Sequence, residues 1–415
     1  MNKSPELVSP DTNPSNITPA GRSRMPRTIY IIGAVSMLND IATEMVTPMI
    51  PILLVTVLHS GPVMLGLVEG LANAVASAVQ IFAGRFSDAR GGRRKPLAVT
   101  GYLVSNVVRP LLGLAVVWWH VLLIRALDRV GKGIRNAPRD ALIVDIAPVK
   151  MRSRAFGIHR AFDNFGAVGG ALLGALIIAT LTTDLTTVLL ISAIPGLLCV
   201  ALFAFGVHEV IKPTPAQPPT PFTFSLRWVD VPKHIRPYLL TVMIFTFART
   251  AELFIVLRAH ELGASTVHAL LLWAAMHFVK IFGNYAAGVW SDRHGRFSLL
   301  APGWLLHSVA MFGFCFVTDI GGLWVAALFF GAAMSTSEGV ERAVIGDFAD
   351  EKARGTLFGW YYALVGFASI PAGLMLGWLW QSFGATVAYA FAAGIGFVAT
   401  AVLHFKVSPA LVRHH

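Results

Sequence analysis

The sequence predicts an all-α membrane protein with twelve transmembrane helices in two pseudo-symmetric six-helix lobes. Three observations carry that prediction. The first is composition: of 415 residues, 55% are hydrophobic and only 13% charged, and the mean hydropathy is +0.66. A soluble chain carries about a quarter charged residues. The second is a duplication. Gly84-Arg-Phe-Ser-Asp88-Ala-Arg-Gly91 recurs as Gly288-Val-Trp-Ser-Asp292-Arg-His-Gly295 at an offset of 204. Asp145-Ile-Ala147, Arg152 and Phe156-Gly157 recur as Asp347-Phe-Ala349, Arg354 and Phe358-Gly359 at an offset of 202. A repeated unit of about 200 residues in an apolar background marks a two-lobed membrane transporter. The third is the distribution of positive charge. With residue 1 placed in the cytoplasm, the loops on that side hold 22 Lys and Arg, and the alternate loops hold only Arg258. That bias sets both termini inside.

The elements follow in order. Residues 1–27 are rich in Ser, Pro, Asn and Thr and lack the apolar core of a cleavable signal, so a disordered cytoplasmic tail is expected. Apolar runs of about 20 residues, the length that crosses a bilayer, then lie near 28–56, 61–83, 97–117, 119–141, 155–179 and 185–207. The first of them is too long for one crossing. Lys212-Pro-Thr-Pro-Ala-Gln-Pro-Pro-Thr-Pro221 reads as a Pro-rich cytoplasmic linker within 208–236. Six more runs follow near 237–257, 266–290, 299–317, 321–345, 355–379 and 385–405. The lobes are therefore expected at 28–207 and 237–406, with a short tail at 407–415. Cys199 and Cys315 lie inside spans, so no disulfide framework is expected. The net charge of +11 punctuates hydrophobic spans, which argues for a lipid bilayer and against nucleic acid as partner. An enzyme is not expected either. No Gly-x-Ser-x-Gly or His-Glu-x-x-His occurs, Gly131-Lys132 lacks the rest of a phosphate loop, and no cofactor is implied. A sensor would need a larger soluble segment than the linker offers.

Gly288, Asp292, Arg293, Gly295 and Arg296 complete a Gly-x-x-x-Asp-Arg-x-Gly-Arg pattern, and Arg129-Val-Gly-Lys-Gly133 places an Arg four residues before a Gly. In these residues the chain resembles the major facilitator superfamily over about residues 28–406. Leu38-Asn-Asp40-Ile-Ala-Thr-Glu44-Met, Asp128-Arg-Val-Gly-Lys-Gly-Ile-Arg135 with Pro138-Arg-Asp140, and His159-Arg-Ala-Phe-Asp163 resemble, more narrowly, a poorly characterised prokaryotic branch with no agreed substrate. The resemblance implies the major facilitator fold, with spans 1, 4, 7 and 10 lining a central cavity, and transport by rocking of the lobes. It also implies gating roles for Gly84, Asp88 and Arg93 in the first loop motif and for Gly288, Asp292, Arg293 and Arg296 in the second. The first copy departs from the pattern, since Ala89 stands where Arg follows Asp in the second. In physical terms a carboxylate at that mouth can accept from a helix N-terminus and nearby Arg, and Gly84 and Gly288 would let helices approach closely there.

Charges inside spans are costly unless paired or wet, so they point to the site. Asp40 and Glu44 are one turn apart on the first span, and Glu69 lies at similar depth on the second. Arg125, Asp128, Arg129 and Lys132 form an i, i+3, i+4, i+7 stripe on the fourth span, expected to face the acids of the first. His159, Arg160 and Asp163 form a shorter set on the fifth. The second half offers Arg249 and Glu252 at i, i+3, with His277, Lys280 and Glu338. Arg139, Asp140, Glu341 and Arg342 sit near span ends, where solvent would reach them, while His120 and His307 are expected to be interfacial or packed.

A carboxylate beside a cation in a partly dry cavity changes protonation as its partner moves. Asp40 is thus the first candidate for proton coupling, with Glu44 or Glu69 next, Asp128 in the same group, and Arg129 as the partner of Asp40. The balance of signs favours a small polar, charged or zwitterionic organic solute. Gly166-Ala-Val-Gly169-Gly170-Ala-Leu-Leu-Gly174 resembles the Gly-rich antiporter motif of the fifth span without its Pro, which favours export. The alternatives are a proton-coupled importer and a Cu-type metal carrier. In the latter, Met45 and Met49, one turn apart beside the acids, would supply thioethers, with His159 and His277 as further ligands. A monomer in the inner membrane is expected.

Overall fold

The computed structural model describes residues 25–89, 94–148, 151–208, 227–249, 251–347 and 354–412. The expected tail, the Pro-rich stretch 212–221 and Arg93 lie outside them. Among the described residues, eleven helices are long and apolar enough to cross a membrane. They are α1 (Arg27–Val57), α3 (Lys95–Leu114), α6 (Leu185–Gly206), α7 (Arg236–Glu261) and α12 (Ala385–Leu411), together with α2 (Gly61–Ala89), α5 (Arg152–Thr180), α8 (Thr266–His294), α9 (Phe297–Phe314), α10 (Ile320–Asp347) and α11 (Arg354–Phe383). One further helix of spanning length, α4 (Trp118–Ile146), is too charged to qualify by apolarity. It is the fourth predicted span, and much of its charge is buried in contacts with neighbouring helices.

Several helices are interrupted where the sequence removes a backbone donor. In α1, Pro48 and Pro51 convert the ladder into a short 3-10 turn at Thr47–Met49, followed by a π segment at Leu53–Val57. This irregular extension accounts for a first span longer than one crossing needs. In α3, Pro110 sits at the start of the 3-10 ending Arg109–Leu114. In α7 the described helix covers Arg236–Arg249 and Glu252–Glu261, with Arg249 closing the first stretch and Glu252 opening the second.

Within the first lobe α1 packs on α5 and α6, and α4 on α2 and α3; within the second, α10 packs on α8 and α9, and α12 on α7 and α9. Between lobes the main pairings are α2 with α11 and α5 with α8. Three apolar clusters show how the lobes sit. One contains Met45–Leu54 positions of α1, Leu65 and Val68 of α2, Leu270 and Trp273 of α8, and Leu376 and Trp380 of α11, so it runs through both lobes on the side away from Arg27 and Leu411. The other two stay within single lobes. Ile29, Tyr102, Ile143 and Phe203 centre one, and Tyr238, Trp304, Val344 and Leu403 the other, both on the side of the chain ends. The described apolar packing shared by both lobes lies on one side, while on the side of the chain ends each lobe keeps a cluster of its own.

Small residues make the joined side possible. A Cβ on Gly66 would stand 1.9 Å from the carbonyl oxygen of Gly373, and one on Gly373 2.1 Å from that of Gly66. Gly70 and Gly377 meet the backbones of Ser369 and Pro62 in the same way, at 2.5 Å. These contacts let α2 and α11 approach backbone to backbone.

Candidate functional site

The interior of the first lobe is a continuous polar network. Both nitrogens Nε and Nη2 of Arg125 donate to one oxygen of Glu69, at 2.9 and 2.7 Å, tying α4 to α2. Arg125 also lies 3.6 Å from Asp128. Asp128 accepts at 2.9 Å from Arg109 of α3, and both side chains are almost completely buried. Arg109 in turn donates to Asn106 at 2.9 Å, Asn106 reaches Asn39 of α1 at 3.3 Å, and Asn39 donates to Asp40 at 3.0 Å. The chain of contacts thus passes from Glu69 to Asp40 through four helices. Local sequence explains its shape. The 3.6-residue period sets Arg125, Asp128, Arg129 and Lys132 on one face of α4, roughly opposite the exposed Leu123 and Leu127. Gly101 and Gly131 let α3 lie against α4, a Cβ on either meeting backbone at 2.7 Å.

The predicted residues are brought together, but not all with the predicted partners. Arg129 pairs with Glu69 at 3.8 Å rather than with Asp40, because Glu69 enters from α2 beside the Arg125–Arg129 turn. Asp40 takes its hydrogen bond from Asn39, packs its Cβ near Gly166 of α5, and has no ion pair among the described residues. Glu44 accepts at 2.9 Å from the indole nitrogen of Trp273, a bond that crosses from the first lobe to the second. His159 lies 3.4 Å and Arg160 3.9 Å from Asp163.

In the second lobe the expected i, i+3 pair is replaced. Arg249 binds Glu341 of α10 and Glu252 binds Lys280 of α8, so each takes a partner from another helix rather than its neighbour one turn away. Glu341, expected near solvent, is fully buried. Its carboxylate also accepts from the hydroxyl of Tyr361 at 2.8 Å, and its backbone carbonyl from Tyr238 at 2.8 Å. Glu338 pairs with Arg342 at 3.6 Å and remains partly exposed. Lys280, Arg160 and Arg249 also stand within electrostatic reach of it. His277 stacks obliquely by Trp273, 5.2 Å between ring centres. His307 is packed, its Nε2 3.3 Å from the carbonyl of Ala248.

The gating motifs give a repeated bond. Arg94 lies 3.3 Å from Asp145 at the end of α4, and Arg296 lies 2.9 Å from Asp347 at the end of α10. Both pairs follow the 202-residue offset. The side chains of Asp88 and Asp292, and the surroundings of Gly84, are not among those described. Arg293 is exposed. Among the described residues nothing stands within 4 Å of a Cβ built on Gly288, so no close helix approach is seen there.

Sequence reasoning missed Asn39, Asn106, Arg109, Tyr361 and Trp273. A basic residue in mid-span before Pro110 was a signal for Arg109. For Trp273 there was none, since an aromatic in a span is ordinary. Met45 and Met49 are fully buried in the apolar cluster, and no group of three or more His, Cys, Asp or Glu among the described residues could hold a metal ion.

The family model described as Major Facilitator Superfamily matches residues 32–279 and 238–414. An uncharacterized MFS-type transporter of Methanocaldococcus jannaschii is 33% identical over 365 residues, covering 86% of this chain and 89% of the relative. The multidrug resistance protein MdtH of Salmonella newport is 26% identical over 332 residues, covering 80% and 81%. Among solved structures, the fold is similar to that of a D-xylose–proton symporter, with a TM-score of 0.70 at 18% identity, over 92% of this chain and 98% of that one.

Proposed function

The chain belongs to the major facilitator superfamily of multi-pass membrane transporters, and from that premise we propose that it carries a small polar, charged or zwitterionic organic solute across the inner membrane in exchange for protons. It is a secondary transporter and not an enzyme. The observation that supports the proposal is the pairing of lobes: one apolar cluster runs through both on one side and each keeps its own on the other, which we read as the parted side, with Glu44 of α1 bonded across the seam to Trp273. Such a body alternates by breaking one set of inter-lobe contacts and forming another. With both termini in the cytoplasm, as the positive charge requires, the parted side faces inward, and loading from the cytoplasm suits export. The likeness to a multidrug resistance protein and the glycines of α5 support that direction.

Asp40 is the coupling carboxylate in this proposal. Glu69 and Asp128 are each engaged by arginines, so they hold the α4 guanidinium groups in place, while among the described residues Asp40 has only an amide partner. Glu44 links the same helix to the opposite lobe. Purified monomer in proteoliposomes with an imposed pH gradient tests the assignment. Addition of a transported solute dissipates the gradient for the wild type. With Asp40→Asn, whatever solute flux remains no longer dissipates the gradient. Equal solute fluxes with and without a gradient would remove proton coupling from the proposal.

A further inference from the structure

The charges of the two lobes are not balanced alike. In the second lobe each interior cation has its own carboxylate: Arg249 with Glu341, Lys280 with Glu252, Arg342 with Glu338. In the first, Arg109 and Arg125 consume Asp128 and Glu69, and Arg129 has only a longer contact to the Glu69 already bound by Arg125. Lys132 has no hydrogen bond or ion pair among the described residues. Arg135, one turn further along α4, is nearly fully buried against the ring of Tyr102, its guanidinium carbon 4.8 Å from the ring centre. Its Nε and Nη1 are buried without a hydrogen-bond partner, as is Nε of Arg129. Like charges three or four residues apart on a helix repel, and buried charge without a counter-ion is strongly unfavourable. Such a row of cations is stable when an anion completes it.

On the facing helix Asp40 presents the opposite lack. Its carboxylate lies within electrostatic reach of Lys132 and Arg135 of α4, Glu44 of α1 and Asp163 of α5, yet no cation is in contact with it. Asp40 and Lys132 are both half-buried, and neither the Lys132 amine nor the free Asp40 oxygen is sealed in the protein. Among the described residues, a carboxylate without an ion pair and an ammonium without one therefore lie within electrostatic reach, each partly open, without closing on each other, and the space between them is left to a ligand.

We propose that this space is a binding site for a zwitterion, whose oxyanion is held by Lys132 and Arg129 and whose ammonium is held by Asp40. The inference rests on the transport reading above and narrows its substrate class to solutes carrying both charges, with a carboxylate or a phosphate as the anionic end. A solute's ammonium then occupies the group that a proton otherwise occupies, which gives exchange without a separate coupling site. Arg135, stacked on Tyr102, backs the oxyanion end from behind and keeps it positive.

The test uses the full chain in detergent and a matched set of probes: an α-amino acid with an uncharged side chain, its N-acetyl form, its amide, and an aminoalkyl phosphate. Thermal stabilisation by the free amino acid or the aminoalkyl phosphate, with neither the N-acetyl form nor the amide effective, is the expected result. Which of the two stabilises the protein tells carboxylate from phosphate. Lys132→Gln is expected to weaken the effective probe at least tenfold, and Lys132→Arg to restore most of it. Asp40→Asn is expected to erase the preference for the zwitterion over the N-acetyl form. No stabilisation by either zwitterion, or stabilisation by a singly charged probe that Lys132→Gln leaves unchanged, overturns the inference. Proteoliposome flux separates the two levels. Exchange of a singly charged solute for protons refutes the zwitterion site and leaves the transport reading standing, whereas zwitterion binding without proton exchange does the reverse.

Discussion

Substituting Gly66 by Ala tests how the joined side is held. The new methyl carbon would lie 1.9 Å from the carbonyl oxygen of Gly373, where ordinary contact begins at 3.4 Å. The obstacle is backbone, so no side-chain rotation removes it, and α2 and α11 must separate by about 1.5 Å. Overpacking of this kind costs about 1–3 kcal/mol. The cost falls on the state with this side closed, because opening it parts the same helices. A differential of that size shifts the ratio of the two states about 5- to 150-fold. The assay is labelling of Ile52→Cys, placed in a background lacking Cys199 and Cys315, by a membrane-impermeant thiol reagent. Ile52 lies in the cluster that joins the lobes, where the Ile50–Ile52 segment packs against Glu252–Glu261. Gly66→Ala is expected to speed labelling, and Gly288→Ala, with nothing near its Cβ, to leave it unchanged. Unchanged labelling in Gly66→Ala, or faster labelling in Gly288→Ala, would refute the claim that these glycines set the closed side.

Other expectations follow from single contacts. Glu341→Gln strips a fully buried carboxylate from Arg249 and is expected to destabilise the protein by about 3–5 kcal/mol, read as a large fall in melting temperature. Tyr361→Phe, which removes one donor to the same carboxylate, is expected to cost about 1.5–3 kcal/mol. Trp273→Phe deletes the donor that bonds Glu44 across the lobes and should raise labelling of Ile52→Cys, while Glu44→Gln, which keeps an acceptor, should raise it less. Asp184, in the turn before α6, caps the helix by accepting from the Thr186 and Thr187 amides and the Thr187 hydroxyl. These bonds hold its carboxyl below the usual carboxylate range. A lowered value in the folded state means that the cap's contribution is present above the ordinary value and is lost as pH falls through the lowered one. Amide exchange at Thr186 and Thr187 should therefore accelerate in that acid window, and an Asp184→Asn variant should show no such step.

The spans and the repeat were legible because they rest on patterns that survive any packing: runs of apolar residues, a loop motif copied once, and positive charge on alternate loops. The α4 stripe was legible for the same reason, since helical period alone places Arg125, Asp128, Arg129 and Lys132 on one face. Partners were not, because pairing depends on depth and rotation of two helices at once. Arg129 and Asp40 share a plausible level, yet Glu69 enters from α2 and takes the guanidinium first. Arg249 and Glu252 have helical spacing, but Glu341 of α10 and Lys280 of α8 take them instead. Glu341 was misjudged for a related reason. A residue six positions before the end of α10 is near water along the axis, but Tyr238, Tyr361 and Arg249 close over it from the side.

The two lobes descend from one unit, and what they kept differs from what they lost. The bond of Arg94 to Asp145 recurs as Arg296 to Asp347 at the same offset, fastening the loop after α2 or α8 to the end of α4 or α10. These pairs are partly exposed, and such pairs are worth about 0–1 kcal/mol, so stability is a weak reason to retain both. Motion is a better one, since a bond inside a lobe makes that lobe turn as a body and leaves the seam as the place that yields. In mid-membrane the copies diverged. Position 69 is a carboxylate bound by two arginines in the first lobe, and position 273, at the 204 offset, is the tryptophan that reaches across to Glu44. The second lobe neutralised its charges internally, while the first kept cations without carboxylates. A symmetric pair of lobes can rock, but only an asymmetric pair tells its substrate which wall to bind, and here the unmet charge lies on α1 and α4.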